Sequence, residues 1–533
     1  MNNLFLCLNL LSTFKLETLN YSIISHMCYN FRMTNKLSQI GNLIEELREK
    51  KGMTQTAFAE KLKTTQSVIA RIESGEQNLT TEMISKISEA LGSEIVSVSK
   101  GAINFEIEGG NKLSGTVETK TSKNGAMGII PAALLNKGKT ILKNVPKIEE
   151  VYRMIEVLES IGVQIKWSDN DLEIEAKNIN LKTINKESAE KTRSIIMLIG
   201  PLIHLFRKFS LPHSGGCKLG NRTVTPHFFA LENLGVSIKA KASSYEISRS
   251  ELKPAEFALY ESGDTVTENA IMAASLIPGE TTIKFASSNY QVQDLCFFLQ
   301  ELGVQMDGVG TTTLTIHGVK EINKNITYYL AEDPIDTMFF IAVAAVTKSG
   351  ITIKRCPIDF LEIELLKLKK MGFKYKISQK YKALNGKTNL VDIKTFPSSL
   401  TALHDKIESR PYPGLNIDNL PFFAVIATQA KGQTLIHDWV YENRAIHYKE
   451  LDKLGADTIL ADPHRFYVNG KTKLKPAEVI CPPALRPAAI ILIGMLGAEG
   501  KSVLRNVYSI NRGYEDIAKR LNSLGAKIKI LRD

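Results

Sequence analysis

A chain of 533 residues is too long for one compact core, so its length predicts two or three domains. With 44% hydrophobic and 23% charged residues it is an ordinary globular protein, not a disordered or fibrous one, and its net charge of +11 suggests nucleic acid or an anionic substrate as partner. Six scattered cysteines without a CxxC pair argue against a disulfide framework or structural zinc and predict a cytoplasmic location, and no apolar run reaches the roughly 18 residues of a membrane span, so no membrane partner is expected.

Residues 1–35 are the first segment. Its stretch 4–11 is largely apolar, but no basic segment precedes it and no small-residue cleavage site follows closely, which argues against a signal peptide. We expect an unstructured tail, or a mis-annotated one with translation starting at Met33.

Residues 36–100 are predicted to form a small all-helical domain. Apolar residues with a 3.6-residue period mark the first helix, and Thr54 is a plausible N-cap of the second. A tight turn leads into the third helix, which Gly75 ends. The predicted helices are one around 40–47 and others at 55–62, 66–73 and 81–91.

This segment, MTQTAFAEKLKTTQSVIARIESGEQNLTTEMISKISEALG, resembles the helix-turn-helix of the phage-repressor (Cro-type) family. In that family the second motif helix enters the major groove, and here it would present Thr65, Gln66, Ser67 and Arg71 to DNA. Glutamine can read adenine edges and arginine can hold a phosphate. Because residues 36–100 hold nine Lys/Arg and nine Glu, a protein-interaction module with the same fold stays open as an alternative.

The rest of the chain repeats one unit six times, in which a helix end is followed by glycine and a new strand. Glycine supplies the left-handed helix C-cap, and a β-rich run follows it. A turn glycine also opens a strand before many units, as in GETTIKFA and GKSVLRNV. The six cap glycines are Gly162, Gly235, Gly303, Gly372, Gly455 and Gly525. Three units per domain predict two similar α/β domains with a ligand cleft between them.

The repeats and the motifs that follow resemble the enolpyruvyl transferase family, most closely its members that act on UDP-N-acetylglucosamine. The resemblance implies a two-domain inside-out α/β barrel of six βαβαββ-like repeats. It places transferase domain 1 at 123–331 and domain 2 at 101–122 and 332–533. It also implies transfer of the enolpyruvyl group of phosphoenolpyruvate to the 3-hydroxyl of the sugar nucleotide, with release of phosphate, as the first committed step of peptidoglycan precursor synthesis.

Phosphoenolpyruvate carries a phosphate and a carboxylate, so its site needs several fixed cations, and arginine forks suit both groups. The resemblance assigns Lys123, Arg222 and Arg512 to phosphoenolpyruvate, with Arg486 nearby and Lys123 among the catalytic residues. It assigns further substrate contacts to Asn124, Arg193 and Arg444.

The loop SLPHSGGCKLGNR is the most specific local motif, and its three glycines allow a mobile lid. Cys217 occupies the family's reactive-cysteine position, and the nearby basic residues favour its thiolate. The resemblance implies that Cys217 acts as an acid at the methylene carbon of phosphoenolpyruvate or aids product release. Asp418, in RPYPGLNIDN, aligns with the family's catalytic Asp and would accept the proton of the acceptor hydroxyl.

Three departures put parts of this assignment in doubt. Ala484 stands where the family has Asp, which removes a carboxylate from the reacting centre. The nucleotide side differs at 223–226 and at 261–264, where Glu261 and Asp264 add acids near the expected phosphates. The acceptor could therefore be an altered sugar nucleotide.

Two other functions stay open. One is a DNA-binding transcriptional regulator whose transferase-like body senses a ligand, and the other is a shikimate-pathway transferase, which the Lys-Asn pair, the Cys loop and the RGYE motif disfavour. No cofactor is expected, because the chemistry needs none and the nine histidines show no metal-binding spacing.

Overall fold

The computed structural model describes residues 41, 44–45, 47–49, 51–74, 83, 86–87, 90–91, 103–213 and 223–532. The chain divides into two compact units, Met1–Gly101 and Ala102–Asp533. Within the described ranges no helix is both long and apolar enough to cross a membrane.

The first unit has the two central helices that the sequence predicts, α1 (Gln55–Lys61) and α2 (Gln66–Glu73). Thr54 caps α1 by accepting a hydrogen bond from the Ala57 amide at 3.2 Å. The buried core of this unit is formed by apolar side chains, among them Ile44, Phe58, Ile69, Ile72, Ile87 and Leu91. Gly75 and most of the predicted helix 81–91 lie outside the described residues.

The second unit is a mixed α/β structure. Its strands are β1 (Ile103–Gly109), β2 (Ser114–Glu118), β3 (Thr140–Lys143), β4 (Gln164–Ser168), β5 (Asp171–Glu175), β6 (Lys208–Pro212), β7 (Val236–Ala240), β8 (Ser244–Arg249), β9 (Glu256–Ala258), β10 (Gly279–Lys284), β11 (Gln305–Asp307), β12 (Thr313–Gly318), β13 (Ile326–Tyr329), β14 (Gly350–Pro357), β15 (Lys374–Ile377), β16 (Tyr381–Lys382), β17 (Asn389–Phe396), β18 (Leu400–Thr401), β19 (Ile407–Glu408), β20 (Ala430–His437), β21 (Asp457–Leu460), β22 (Arg465–Gly470), β23 (Glu478–Ile480), β24 (Gly500–Arg505) and β25 (Lys527–Arg532).

The α-helices continue the numbering of the first unit. They are α3 (Lys123–Ala132), α4 (Glu149–Ser160), α5 (Lys186–Lys191), α6 (Ile199–Leu205), α7 (Thr225–Glu232), α8 (Asp264–Ser275), α9 (Tyr290–Leu302), α10 (Pro334–Thr347), α11 (Glu362–Lys370), α12 (Leu420–Ala427), α13 (Leu485–Gly497), α14 (Tyr508–Asn511) and α15 (Ile517–Ser523). Within the described ranges of this unit, 3₁₀ helices span Ala133–Leu135, Leu181–Thr183, Arg193–Leu198, Ile358–Phe360 and Ala445–Leu454.

The strands of the described residues form six separate sheets, which matches the six predicted repeats. The strand orders are β13-β3-β5-β4, β6-β8-β7, β11-β12-β10-β9, β15-β17-β14-β2, β18-β20-β22-β21 and β23-β24-β1-β25, with β16 paired to β17 and β19 to β20. Each sheet contains antiparallel pairs, and five of them also have a parallel pair, such as β13 with β3 and β2 with β14. The amino-terminal strand β1 lies between β24 and β25, so the two ends of this unit meet in one sheet.

The six cap glycines have the left-handed backbone that the repeat pattern predicts. Their φ angles are 95° at Gly162, 91° at Gly235, 102° at Gly303, 91° at Gly372, 79° at Gly455 and 96° at Gly525. Each is followed within two residues by a strand, namely β4, β7, β11, β15, β21 and β25. A side chain is strained at such φ values, and glycine is not, so the recurring glycine fixes where each helix ends.

Helices lie inside and sheets outside, which is the inside-out arrangement. The sequence of α13, LRPAAIILIGMLG, is apolar on all sides, and every residue from Arg486 to Leu496 is buried. The helices α10 and α12 are buried in the same way. A helix without a polar face can only be stable in a core, so these sequences dictate the centre of the unit.

Two separate hydrophobic cores divide the unit. One gathers apolar residues from 126–330, and we call this part the first lobe. The other gathers residues from 105–117 and 335–528 together with Tyr290, and we call this part the second lobe. The chain crosses between the lobes twice, and the two crossings pair with each other at Thr121 and Glu332.

Candidate active site

The first crossing positions Lys123 and Asn124 at the start of α3. Ser122 caps this helix by accepting a hydrogen bond from the Gly125 amide at 2.9 Å, and its own amide donates to the Ala331 carbonyl in the second crossing at 2.8 Å. The Asn124 side chain donates to the Tyr290 hydroxyl at 3.0 Å. Both residues are therefore held where the lobes meet.

Glu150 ties together two cations that the sequence assigns to phosphoenolpyruvate. Its carboxylate accepts from Lys123 Nζ at 2.5 Å and from Arg512 Nη2 at 2.6 Å, and so joins a lysine of the first lobe to an arginine of the second. Burial opposes ionisation here, but the two cations outweigh it and lower the pKa of Glu150. Glu150 is not recognisable as a site residue from the sequence, because an acid in the first turn of a helix such as α4 is already explained by the helix dipole.

Asp418 lies between two buried arginines of the second lobe. Its carboxylate is 3.1 Å from Arg486 Nη2 and 3.7 Å from Arg444 Nη1. Burial favours the neutral acid, but Arg486, Arg444 and Lys123 together lower the pKa of Asp418. The carboxylate is therefore ionised at neutral pH, with Lys123 of the first lobe among the charges that keep it so.

Both arginines are themselves anchored. Arg444 Nε and Nη2 donate to the two oxygens of Asp438 at 2.6 and 2.8 Å, and the Tyr448 hydroxyl donates to the same carboxylate at 2.6 Å. Arg486 Nη1 donates to the Tyr514 hydroxyl at 3.0 Å. These partners leave a guanidinium edge of each arginine directed at Asp418, and none of the partners is recognisable from the sequence alone.

Of the other three predicted residues, one contacts the first lobe and two fall outside the described residues. Arg193 begins the 3₁₀ helix Arg193–Leu198 in the first lobe, and its Nη2 is 3.4 Å from the Thr223 carbonyl oxygen. Cys217 and Arg222 lie in 214–222, outside the described residues. The structure thus brings together Lys123, Asn124, Asp418, Arg444, Arg486 and Arg512.

The departures from the family pattern have visible consequences. Ala484 is fully buried as the N-cap of α13 and makes no side-chain cap hydrogen bond, so no carboxylate stands beside Arg486 at that position. Asp333 at the second crossing acts on Arg486 electrostatically instead, and burial raises the pKa of Asp333 to about 6 against the opposing charge of Arg486. Asp264 accepts from Ser287 Oγ at 2.5 Å and from Asn289 Nδ2 at 3.0 Å, so this acid joins the start of α8 to the loop between β10 and α9.

In the first unit, the four residues predicted to contact DNA are all exposed on α2 or at its N-cap, namely Thr65, Gln66, Ser67 and Arg71. Gln66 Nε2 donates to Gln55 Oε1 at 2.7 Å, and Gln55 in turn donates to Glu73 at 2.8 Å. Glu73 is paired with the buried Arg48 at 2.7 Å. This chain of contacts fixes α2 against α1 while its outer side stays open.

No group of three His, Cys, Asp or Glu side chains that could hold a metal ion occurs among the residues with described positions.

The fold and the cluster of cations where the two lobes meet define the class of protein to which the chain belongs. The second unit has the enolpyruvyl transferase fold: it superposes on the enolpyruvyl transferase NikO from Streptomyces tendae with a TM-score of 0.71 at 22% identity, covering 81% of this chain and 100% of that one. An EPSP synthase from Acinetobacter baumannii superposes with a TM-score of 0.63 at 18% identity, covering 81% and 100%.

The chain belongs to the EPSP synthase (3-phosphoshikimate 1-carboxyvinyltransferase) family, whose model matches residues 107–521. Residues 44–97 match the helix-turn-helix family. Among curated relatives, the UDP-N-acetylglucosamine 1-carboxyvinyltransferases of Bradyrhizobium diazoefficiens and Porphyromonas gingivalis are 34% and 35% identical, each over 80% of this chain and 98% and 100% of their own length. That of Treponema denticola is 35% identical over 80% of this chain and 99% of its own.

Proposed function

We propose that the chain is a UDP-N-acetylglucosamine 1-carboxyvinyltransferase. The enolpyruvyl group of phosphoenolpyruvate would pass to the 3-hydroxyl of UDP-N-acetylglucosamine, and phosphate would leave. The observation that carries the proposal is the ionised Asp418 between Arg486 and Arg444, beside the cations Lys123 and Arg512. The names of the curated relatives supply the acceptor, UDP-N-acetylglucosamine, and the carboxyvinyl group that is transferred to it.

The proposed reaction has two steps. Asp418 accepts the proton of the 3-hydroxyl while the hydroxyl oxygen attacks C2 of phosphoenolpyruvate. The methylene carbon C3 gains a proton from Cys217. The resulting tetrahedral intermediate then loses phosphate, which takes up the proton held by Asp418, and one C3 proton returns to the Cys217 sulfur, which restores the double bond in the product. Lys123, Arg222 and Arg512 would hold the phosphate and carboxylate, and Arg486 would stabilise the charge of the intermediate. Asn124, Arg193 and Arg444 would contact substrate, and no cofactor takes part.

The proposed domain boundaries are 123–331 for domain 1 and 101–122 with 332–533 for domain 2. The two hydrophobic cores support this division, because they draw on 126–330 and on 105–117 with 335–528, apart from Tyr290. A cytoplasmic location is supported by the buried, unpaired thiols of Cys296, Cys356 and Cys481, which suit a reducing compartment.

The test is phosphate release from phosphoenolpyruvate with and without UDP-N-acetylglucosamine. We expect release to depend on the acceptor and to fall by about 10²- to 10⁴-fold in Asp418→Asn, because a general base contributes that much. Cys217→Ala is the second variant, and Asp405→Asn, an exposed carboxylate of the second lobe, is the matched control that should keep full activity. Acceptor-independent or absent release in a chain that still binds both ligands would contradict the proposal.

A second function is favoured by the open outer side of α2. We propose that residues 36–100 bind DNA through Thr65, Gln66, Ser67 and Arg71. Selection of bound sequences from a random duplex pool should yield a motif, and Gln66→Ala should relax it at one position. If the pool shows no enrichment while phosphate release is intact, the unit is an interaction module and the transferase stands.

A further inference from the structure

The net charge of the chain is concentrated in one short stretch. Nine lysines and one aspartate lie between residues 367 and 394, so this stretch carries +8 of the chain's +11. Three of these lysines end α11, where cations are favoured by the helix dipole. The others lie on the strands and hairpin that follow, and the dipole does not account for them.

Four lysines stand on one face of the sheet β15-β17-β14-β2, and we call this set the lysine face. Exposed and buried positions alternate along β14 and β17, which puts Lys354 and Lys394 on the outer side. Lys374 and Lys376 are exposed on the neighbouring strand β15. The lysine face consists of Lys354, Lys374, Lys376 and Lys394, spread over three adjacent strands.

Two of these lysines face each other across the strands. Lys376 is the direct antiparallel partner of Lys394, so their Cα atoms lie about 4.5–5.5 Å apart. Like charges directly opposite each other destabilise a sheet. A lysine on the edge strand β15 would by itself serve to block strand addition, but that role does not require a second lysine opposite it on the interior strand β17.

Lys354 is the direct parallel partner of Glu118 on β2, whereas the other three lysines of the face are not ion-paired within the described structure. Within its described ranges, no carboxylate lies within ion-pair distance of Lys374, Lys376 or Lys394. Asp392, on the same strand as Lys394, is engaged by the Tyr381 hydroxyl at 2.7 Å and the Arg355 amide at 3.1 Å. The three ammonium groups are therefore available to an external anion.

A small substrate does not account for this charge. The cations that lower the pKa of Asp418 are Arg486, Arg444 and Lys123, and none belongs to the lysine face. A lipid bilayer is disfavoured as well. Ile377, 51% exposed, alternates with Lys376 along β15 and so lies on the opposite side of the strand from the lysines.

We propose that the lysine face binds the phosphate backbone of duplex DNA. Affinity for DNA comes mainly from cations that neutralise phosphates and release counterions. Residues 36–100, which match the helix-turn-helix family over 44–97, hold nine Lys/Arg and nine Glu and so lack that contribution. The lysine face carries such cations on the second unit, and it binds without sequence preference, because phosphate contacts carry no sequence information. The inference rests on the face itself and not on the transferase reaction.

The test is the salt dependence of DNA binding by the full chain. The probe is an arbitrary duplex of about 30 base pairs, titrated by fluorescence anisotropy between about 50 and 200 mM salt. Replacing Lys374, Lys376 and Lys394 together by Gln should reduce the slope of log affinity against log salt by roughly 2.7, since each phosphate contact contributes about 0.9. Over that salt range the wild-type affinity should fall about 40-fold more than that of the variant.

The matched control removes the same charge elsewhere. Lys208, Lys239 and Lys241 are exposed lysines of the first lobe, and their triple Gln variant should keep the wild-type slope. Phosphate release by both variants should equal that of the wild type, which also shows that they fold.

Four results would overturn the proposal. The first is an equal slope of log affinity against log salt for the two triple variants, and the second is loss of phosphate release in the lysine-face variant only. The third is competition of phosphoenolpyruvate with the duplex. The fourth is flotation with phosphatidylserine vesicles that depends on the lysines, without a change in the salt dependence of DNA binding. The second and third would mean that the lysines serve the substrate, and the fourth that they serve a membrane surface.

Discussion

The anchor of Arg444 offers a decisive test of the cleft. Asp438 is fully buried and Arg444 is 1% exposed, and two hydrogen bonds of 2.6 and 2.8 Å join them. Asp438→Asn removes the negative charge and turns an amide donor toward a guanidinium that has only donors. An unpaired buried charge costs about 3–5 kcal/mol. The second lobe should then unfold roughly 6–20 °C lower, taking about 2–4 °C per kcal/mol for a domain of this size.

The same substitution should alter the pH dependence of phosphate release. Arg444 lies 3.7 Å from Asp418 and is one of the charges that lower its pKa. A carboxylate with a lowered pKa stays active until the pH falls through that value. Removal of the Asp438 anion leaves Asp418 as the remaining carboxylate partner of Arg444, so the pKa of Asp418 falls further and the acid limb of kcat against pH moves to lower pH.

Calorimetry and a kcat–pH profile measure the two effects. Asp457→Asn, an exposed carboxylate on β21, is the control for the charge change and should leave both unchanged. Tyr448→Phe removes only the 2.6 Å hydrogen bond to Asp438 and should cost about 1.5–3 kcal/mol. An Asp438→Asn variant that melts like the wild type and keeps its acid limb would refute the reasoning.

Three further predictions concern stability. Gly303→Ala should lower the free energy of unfolding by denaturant by about 1–2 kcal/mol, because φ is 102° and a Cβ would lie 2.8 Å from Lys324 Nζ. Gly350→Ala is the control and should cost less, because Gly350 has no positive φ. Equal costs would contradict the role of Gly303 as a left-handed helix cap. Thr54→Ala should weaken the start of α1 by about 1 kcal/mol, which is measured as faster hydrogen exchange of the Ala57 amide. Thr401→Ala is the control. Unchanged exchange in Thr54→Ala would contradict the capping hydrogen bond. Burial lowers the pKa of His227 to about 3, so the unfolded state binds more protons than the folded state below pH 6.5. The free energy of unfolding should therefore fall as the pH drops from 6.5 toward 3. His227→Gln should flatten this dependence, and a variant with the wild-type dependence of stability on pH would contradict the prediction.

Local chemistry made the repeat architecture predictable. A left-handed helix end favours glycine, so LENLGVSI or LQELGVQM predicts a helix end followed by a strand, whatever the rest of the fold is. The prediction of six such ends is confirmed by the six positive φ angles. The helix Gln66–Glu73 was predicted to the residue for a similar reason, since the turn before it and the amphipathic period within it are local signals.

The candidate site was predictable only in part. Motifs singled out Lys123, Asp418 and Arg486, but the roles of Cys217 and Arg222 stay predictions because 214–222 lies outside the described residues. Glu150 was missed, although its contacts show that it holds Lys123 and Arg512. An acid in the first turn of a helix carries no signal that distinguishes this role from an ordinary helix start.

The sequence by itself determined where helices end, which helices are buried and which family the cleft resembles, because turn, cap and periodicity depend on residues close together in the chain. Only the tertiary structure decided which charges meet. Glu150 and Arg512 are 362 residues apart, and Asp418 and Arg486 are 68 apart, so no local pattern relates them. Their contacts follow from the packing of two lobes across two crossings, and packing brings distant ions together only when the whole fold is formed.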